Sequence, residues 1–220
     1  MMKRLAALAL LLCACAAHAE LWGYVDNQAV AHLADRQING SYSLVMGKTE
    51  VGRVLGKTDG SEQLLTWLDI APEVKAVQPL LREAAADHGV DMELLKAVIT
   101  VESGYRQGAI SPRGAIGLMQ LTPDAGQRYA QTRNQQALLN PRTNIQAGAR
   151  MLADLIKRFG RIDAALAAWN AGEGAVRRAG GQVPDIDETQ AHVQLVLELY
   201  WALLQRSLPA QARQLKIETQ

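Results

Sequence analysis

The stretch 91–104 reads DMELLKAVITVESG, and it predicts a helix that is capped by Asp91 and runs to about Glu102. At about 100° per residue, the apolar side chains of this helix form one continuous arc, and Glu102 falls in the middle of it, one turn beyond Val98. Burial of a carboxylate in such an arc disfavours its charged form and prepares it to donate a proton. The pattern alone leaves an alternative, in which Glu102 lies at a frayed helix end and meets water or an arginine.

The composition of the chain indicates a globular protein. The chain has 220 residues, of which 49% are hydrophobic, and its formal net charge is +1. This apolar fraction excludes a disordered chain, and the near-neutral charge argues against a nucleic-acid partner, whose binding needs a basic stripe. We therefore expect a protein that acts on a small molecule, another protein or a neutral polymer.

Residues 1–19 have the pattern of a signal peptide, with a short basic start, an apolar run too short to span a bilayer and small residues before Glu20. Export to the periplasm is the predicted outcome. Both cysteines, Cys13 and Cys15, lie inside this segment, so we expect no disulfide and no cysteine metal site in the mature chain. The segment also resembles a lipoprotein signal, which gives the alternative of an outer-membrane lipoprotein lipidated at Cys15.

Beyond the signal peptide, the sequence divides into four parts. Residues 20–46 predict a small β-like module of two or three strands, and the glycine-rich stretch 47–72 predicts a linker. Residues 73–208 carry apolar residues at helical spacing and predict one compact α domain, which a tail at 209–220 follows. The predicted fold class is therefore mainly α, with a small N-terminal β-like segment.

Individual helices of the α domain are located by capping side chains, by proline at the first helical position and by glycine stops. Besides the helix that Asp91 caps, these signals predict helices over Pro79 to Asp87, Pro123 to Tyr129, Asn144 (as the cap) to Phe159, Ile162 to Asn170 with stops at Gly172 and Gly174, and Glu188 to Leu208.

Two segments have the composition of a sugar-binding site. The stretch 103–120 holds several glycines, which permit a folded-back loop and the close approach of a ligand to the backbone. The run Ala168-Trp169-Asn170 ends a helix with an aromatic ring beside an amide. Aromatic rings pack against the apolar faces of sugars, and amides bind their hydroxyl and acetamido groups.

Taken together, four strings of the sequence resemble the soluble lytic transglycosylases, relatives of goose-type lysozyme that cleave bacterial peptidoglycan. The strings occur in family order and spacing over about 74–193, and the resemblance implies a lysozyme-like helical fold. They are Glu102-Ser103-Gly104, residues 111–123 with Gly117-Leu118-Met119-Gln120 inside them, Asn140-Pro141 with Asn144-Ile145 and Gly148, and residues 168–174.

The resemblance also implies a role for single residues, with Glu102 as the catalytic acid/base. The substrate-binding positions that it implies are Ser111, Gly117, Met119, Gln120, Ala168, Trp169, Asn170 and His192. Alternatives stay open for three of them, because Met119 and Trp169 are equally compatible with the core and Ser111 with a turn at Pro112. No cofactor and no metal is expected, since the histidines beyond the signal peptide lack HExxH spacing.

The chemistry that the resemblance implies needs one carboxylate only, and the sequence supplies no obvious second one near Glu102. In the family, the acid protonates the glycosidic oxygen between MurNAc and GlcNAc, and the acetamido carbonyl of the substrate stabilises the anomeric carbon. The C6 hydroxyl then closes a 1,6-anhydro ring. No water is consumed, so the expected enzyme is a lyase.

The chain departs from the family pattern at three positions. Trp169 and His192 stand where the family has tyrosine, and Glu173 stands where it has proline. The tyrosine at the second position often orients the catalytic glutamate, so we hypothesise that His192 hydrogen-bonds Glu102 instead. A Glu173 that held a water would turn the enzyme into a hydrolytic lysozyme, and a peptidoglycan-binding protein without catalysis is the other alternative.

The expected partners follow from the same resemblance. Peptidoglycan glycan strands are the expected substrate, and no nucleic acid is expected. Short exported enzymes of this type often open the wall for a secretion or conjugation apparatus in the envelope, but nothing in the sequence names such a partner.

Overall fold

The computed structural model describes residues 21–25, 31–34, 37–38, 40, 43–46 and 59–207. The predicted signal peptide at 1–19, the lipidation site at Cys15 and the tail at 209–220 lie outside the described residues. Within those residues, no helix is long and apolar enough to cross a membrane.

Three short antiparallel strands precede the helices, in the sheet order β2-β1-β3. They are β1 (Leu21–Val25), β2 (Ala31–Ala34) and β3 (Ser43–Met46). The register pairs Trp22 with Ala34 and with Leu44, so β1 is the central strand. This sheet is the small N-terminal β segment of the predicted fold class.

The rest of the described chain is helical, which confirms the prediction of a mainly α protein. A short π-helix, Gly126–Ala130, continues α4. The α-helices are α1 (Asp59–Ile70), α2 (Pro72–His88), α3 (Met92–Ser103), α4 (Pro123–Ala125), α5 (Gln135–Leu138), α6 (Pro141–Phe159), α7 (Ile162–Ala171), α8 (Glu173–Arg178) and α9 (Asp187–Ser207).

Five helices form a closed circuit around the core, in which α3 packs on α9, α9 on α7, α7 on α6, α6 on α2 and α2 on α3. Each fully buried aliphatic side chain in such a core contributes about 1.5–3 kcal/mol through removal from water. The largest of them include Leu81, Leu94, Leu95, Ile99, Ile145, Leu152, Leu155 and Leu166. The circuit holds α3, and therefore Glu102 near its end, from several sides.

The prediction of a linker over 47–72 is wrong for its second half, which forms α1. Leu65, Leu68 and Ala71 recur at helical spacing and are buried, so apolar packing outweighs the preceding glycines. The next helix also begins earlier than predicted. Pro72 occupies its first turn after an extended Ala71, and Pro79 lies inside the helix instead of starting it.

Two other helix ends differ from the sequence prediction. Asn140, and not Asn144, caps α6, because its Oδ1 accepts the Thr143 N–H at 3.1 Å and Pro141 takes the first helical position. Gly172 ends α7 as predicted, but the chain bends there at a φ of 85° and resumes at once as α8.

Asn144 is fully buried inside α6, where its amide joins three segments of the chain. Its Oδ1 accepts the Met119 N–H at 2.7 Å. Its Nδ2 donates to the carbonyl oxygens of Ile116 at 2.9 Å and Leu138 at 2.8 Å. The Ile116 carbonyl oxygen also accepts the Leu121 N–H at 3.0 Å. Buried backbone groups require partners, so the Met119 N–H and the Leu138 carbonyl oxygen are the two groups that depend on this side chain alone.

Glu93 is a second buried polar group, in the first turn of α3. Its residue is 7% exposed, and its carboxylate accepts a hydrogen bond from Lys96 Nζ at 2.9 Å. Burial raises the pKa of Glu93 above its ordinary value of 4.5, although the hydrogen bond and charge of Lys96 act in the opposite direction.

We predict that Asn144→Ala lowers the free energy of unfolding by at least about 2 kcal/mol, because it leaves the buried Met119 N–H and Leu138 carbonyl oxygen without partners. The matched change Asn140→Ala removes only an exposed helix cap and should cost about 1 kcal/mol. Urea unfolding of both variants tests this difference. An equal decrease in the free energy of unfolding for the two variants would contradict the importance assigned to the buried amide.

We predict a pH dependence of stability from Glu93. Its pKa is higher in the folded state than in the unfolded chain, so its contribution is most favourable below the unfolded pKa and declines as pH rises through the folded pKa. The free energy of unfolding of the wild type, minus that of Glu93→Gln, should therefore fall between pH 4 and pH 7. Urea unfolding across this range measures it, with Glu73→Gln in the exposed first turn of α2 as the control. A difference that rises with pH would refute the prediction.

Candidate active site

Glu102 lies in the last turn of α3, and the end of this helix is fixed. Gly104 ends it with a φ of 55°, and its N–H donates to the Thr100 carbonyl oxygen. The buried Ser103 hydroxyl donates to the Leu118 carbonyl oxygen at 2.7 Å, which ties the helix end to the loop that Asn144 holds. The alternative of a frayed end is therefore wrong.

Two N–H donors hold the carboxylate of Glu102, and both contact the same oxygen. Trp169 Nε1, from α7, donates to Oε1 at 2.9 Å. His192 Nε2, from α9, lies 2.9 Å from the same atom. Within the described part of the chain, Oε2 receives no hydrogen bond. The Glu102 side chain is 16% exposed, so it is nearly enclosed but still open to a ligand.

The ring of His192 is assigned as the Nε2–H tautomer, because the partner of that nitrogen is a carboxylate oxygen. Nδ1 is buried and has no hydrogen-bond partner among the described residues. A proton on Nδ1 would therefore be a buried donor without an acceptor. The surroundings thus favour an imidazole that donates through Nε2 toward Glu102.

Three of the predicted site residues lie in the loop before α4, where their contacts stabilise the loop itself. Met119 is fully buried in the core, and its N–H is bound by Asn144. Gly117 has a φ of 78°, and a Cβ on it would collide with the Asn144 amide. Ser111 Oγ accepts the Ala115 N–H at 3.0 Å, as a turn residue does. The structure therefore gives these three residues a role in building the loop.

A cavity of about 430 Å³ lies beside Trp169, between the segment that contains α4 and the junction of α7 with α8. The predicted residues that line it are Gln120, Ala168, Trp169 and Asn170. Trp169 therefore lines the cavity with part of its ring and reaches Glu102 with its N–H. Glu102 and His192 are not among the lining residues, and the Trp169 side chain connects them to the cavity, along whose wall Gln120 and Asn170 lie.

The two amides are held by different contacts. Gln120 Nε2 donates to the Gly117 carbonyl oxygen at 2.8 Å, so this side chain is tied to its own loop. Asn170 Oδ1 accepts the Thr189 hydroxyl at 2.8 Å, which links the end of α7 to the start of α9. Both side chains are therefore oriented before any ligand is present.

Sequence reasoning missed a network of charged side chains beside the cavity. Arg128, Tyr129 and Glu173 line the cavity. Burial, together with the hydrogen bond to Asp154, raises the pKa of Tyr129 to about 12. That hydrogen bond, with the positive charge of Arg158, holds the pKa of Asp154 below its ordinary value. Only the i,i+4 pairs within helices were visible in the sequence, because the other contacts join distant segments.

Among the described residues, no group of three or more His, Cys, Asp or Glu side chains is placed to hold a metal ion. The site itself presents the carboxylate of Glu102 with its two N–H donors, beside an aromatic and amide-lined cavity.

Residues 79–191, which include Glu102 and the cavity, match the family described as the transglycosylase SLT domain. The chain belongs to the transglycosylase SLT family. Among its curated relatives is membrane-bound lytic murein transglycosylase C of Glaesserella parasuis, 36% identical over 46% of this chain and 32% of the relative. Another is endo-type membrane-bound lytic murein transglycosylase A of Klebsiella pneumoniae, 37% identical over 40% of this chain and 48% of the relative.

Solved structures of the family are similar to the helical part of this chain. Lytic transglycosylase Slt of Pseudomonas aeruginosa, solved as an inactive mutant, aligns with a TM-score of 0.54 and 30% identity over 67% of this chain. The 70 kDa soluble lytic transglycosylase of Escherichia coli aligns with a TM-score of 0.55 and 25% identity over 61% of this chain. The alignments cover only 26% and 25% of those two chains, and less than half of the curated relatives above.

Proposed function

We propose that the protein is an exported peptidoglycan lytic transglycosylase, which cleaves the β-1,4 bond between MurNAc and GlcNAc without water and leaves a 1,6-anhydromuramyl end. The observation that carries this proposal is a single carboxylate, Glu102, held on one oxygen by two N–H donors. Membership of the SLT family and the names of its murein-cleaving relatives support peptidoglycan as the substrate.

In this reaction, Glu102 begins as the acid. Trp169 and His192 occupy Oε1, so Oε2 carries the proton and transfers it to the glycosidic oxygen as the bond to the anomeric carbon breaks. The acetamido carbonyl oxygen of the substrate stabilises the positive charge that develops on that carbon. The carboxylate left behind is stabilised by the two N–H donors, because hydrogen bonds to a charged acceptor are stronger than those to a neutral one.

Glu102 then acts as the base. Its carboxylate takes the proton of the C6 hydroxyl, whose oxygen attacks the anomeric carbon and closes the 1,6-anhydro ring. The proton that leaves the C6 hydroxyl replaces the one given to the leaving sugar, so the enzyme returns to its starting state. The substrate supplies the nucleophile, and a second free carboxylate is not needed.

Glu173 is poorly suited to the hydrolytic alternative. Its Oε2 accepts from Arg158 at 2.9 Å and from Arg177 at 2.8 Å, and its Oε1 accepts from Arg128 at 3.2 Å. A general base needs an oxygen that is free to accept a proton from water. Both oxygens of this carboxylate are bound to guanidinium groups, so Glu173 does not supply one.

The location and the partners remain part of the proposal. The names of the relatives support an envelope location, and export by residues 1–19 places the enzyme in the periplasm with peptidoglycan glycan strands as its substrate. Attachment to the outer membrane through a lipid on Cys15 is the alternative. Co-purification with an assembled secretion or conjugation complex would identify an envelope partner.

We predict that digestion of purified sacculi releases muropeptides with 1,6-anhydro ends and that Glu102→Gln releases none, because an amide cannot transfer the proton. Mass spectrometry of the soluble products measures both. Products one water heavier would instead indicate a lysozyme. Binding of both proteins to sacculi without any product would favour the non-catalytic alternative.

We predict that His192→Phe lowers kcat about tenfold to hundredfold, because loss of one donor lets the carboxylate of Glu102 leave its productive orientation. KM should stay within about twofold, since His192 does not line the cavity. His192→Gln keeps an N–H near the position of Nε2 and should retain kcat within about fivefold of the wild type. Steady-state kinetics on soluble glycan strands measures both variants. Equal losses in kcat for the two would rule out the donor role.

A further inference from the structure

Arg128 is a charged side chain on the wall of the cavity. This side chain comes from the π-helix and lines the cavity together with Tyr129 and Glu173. Its guanidinium carbon lies 5.1 Å from the centroid of the Tyr129 ring, a cation–π distance that holds the planar group in place. The Arg128 side chain is 51% exposed, so its charge is accessible from the cavity.

The two carboxylates near Arg128 are already neutralised by other groups. Arg158 Nη1 donates to Glu173 at 2.9 Å and its Nη2 donates to Asp154 at 2.8 Å. Arg177 adds a second donor to Glu173 at 2.8 Å. The contacts of Arg128 with the same two carboxylates are longer, at 3.2 and 3.3 Å.

The network therefore has three positive charges and two negative ones. Its members are Arg128, Arg158, Arg177, Asp154 and Glu173. Of its three arginines, Arg128 is the one that lines the cavity. The other carboxylate on the cavity wall, Asp124, is paired with Arg133 at 3.1 Å. The Arg128 guanidinium is accessible, is held against the Tyr129 ring, and belongs to a network with a net positive charge. Such a group is suited to bind a carboxylate.

We propose that Arg128 is a carboxylate-binding subsite, which takes an acidic group on the peptide substituent of the glycan strand. The inference rests on the proposed function, because peptidoglycan sugars are neutral in their glycan backbone and their peptide substituents carry carboxylates. A strand bound with its sugars along Trp169 and Asn170 presents its substituents to the rest of the same cavity. The apolar side chains of Met151 and Leu155 also line it, which suits a substituent with both methyl and carboxylate groups.

Glu173 gains a role in this arrangement. It stands where the family has proline, and its carboxylate accepts hydrogen bonds from three arginines that come from different helices. We therefore assign Glu173 as a positioning residue for Arg128 and not as a group that reacts with the substrate. We therefore attribute the proposed preference of this chain for peptide-bearing strands to Glu173, where it differs from the family.

Binding to a catalytically blocked protein tests the proposal. All proteins carry Glu102→Gln in the full chain. The two probes are soluble glycan strands with peptides and the same strands after an amidase has removed the peptides and the lactyl carboxylates thereby freed have been converted to uncharged amides. Addition of Arg128→Gln should raise the Kd for peptide-bearing strands about fivefold to tenfold, because a charged hydrogen bond is lost at a partly exposed site. The Kd for peptide-free strands should change by less than about twofold.

Arg142→Gln is the matched control, because it removes the same charge from an exposed ion pair with Glu83 that belongs neither to this network nor to the cavity lining. It should change both Kd values by less than about twofold. An equal effect of the two arginine variants on peptide-bearing strands would mean general attraction of a cationic surface and would overturn the subsite. The subsite would also be overturned if Arg128→Gln raised the Kd equally for both probes, or if it changed neither Kd.

The binding measurement is independent of the reaction catalysed. Unaltered binding of peptide-bearing strands by Arg128→Gln refutes the subsite, even where the wild type releases anhydro products. Conversely, a selective loss of binding supports the subsite even if the sacculus digestion yields products one water heavier. Failure of the two proposals is thus recognised by different results.

Discussion

The buried amide of Asn144 is the interaction on which the rest of the site depends. It fixes the backbone between Ile116 and Met119, and the same stretch receives the hydroxyl of Ser103 through the Leu118 carbonyl oxygen. The loop is thereby held between α6 and the end of α3, next to Glu102. An amide can satisfy a backbone donor and two acceptors at once, whereas an apolar residue at this position would leave the Met119 N–H and the Leu138 carbonyl oxygen buried without partners.

The orientation of Glu102 comes from tertiary structure and not from its own helix. Its two donors belong to α7 and α9, which pack on each other and complete the circuit of helices around the core. Both donors are N–H groups on flat rings, and both rings are partly buried, so neither can turn without repacking. The core therefore holds one oxygen of the carboxylate and leaves the other for proton transfer, which is the preorganisation that acid/base catalysis needs.

Local signals in the sequence predicted α3, α7 and α9 to within one or two residues, because these helices combine a clear apolar face with strong caps and stops. The same reasoning misread Asn144, since a cap and a buried amide have the same sequence signature and only the partners across space distinguish them. For Met119 the sequence left a core position open as an alternative, and the residue lies in the core. The arginine network around Glu173 was beyond prediction, because its members come from α6, α8 and the π-helix.

Glu173 shows how such a network limits chemistry. A carboxylate between two glycines in an otherwise lysozyme-like chain suggests a second catalytic group, and its position on the cavity wall adds to that expectation. The three guanidinium groups that surround it bind both of its oxygens, so this carboxylate is held as part of an ion-pair network. Asp124, the other acid on the wall, is paired as well. Both carboxylates on the wall are engaged in ion pairs, and the proposed reaction takes its nucleophile from the sugar itself.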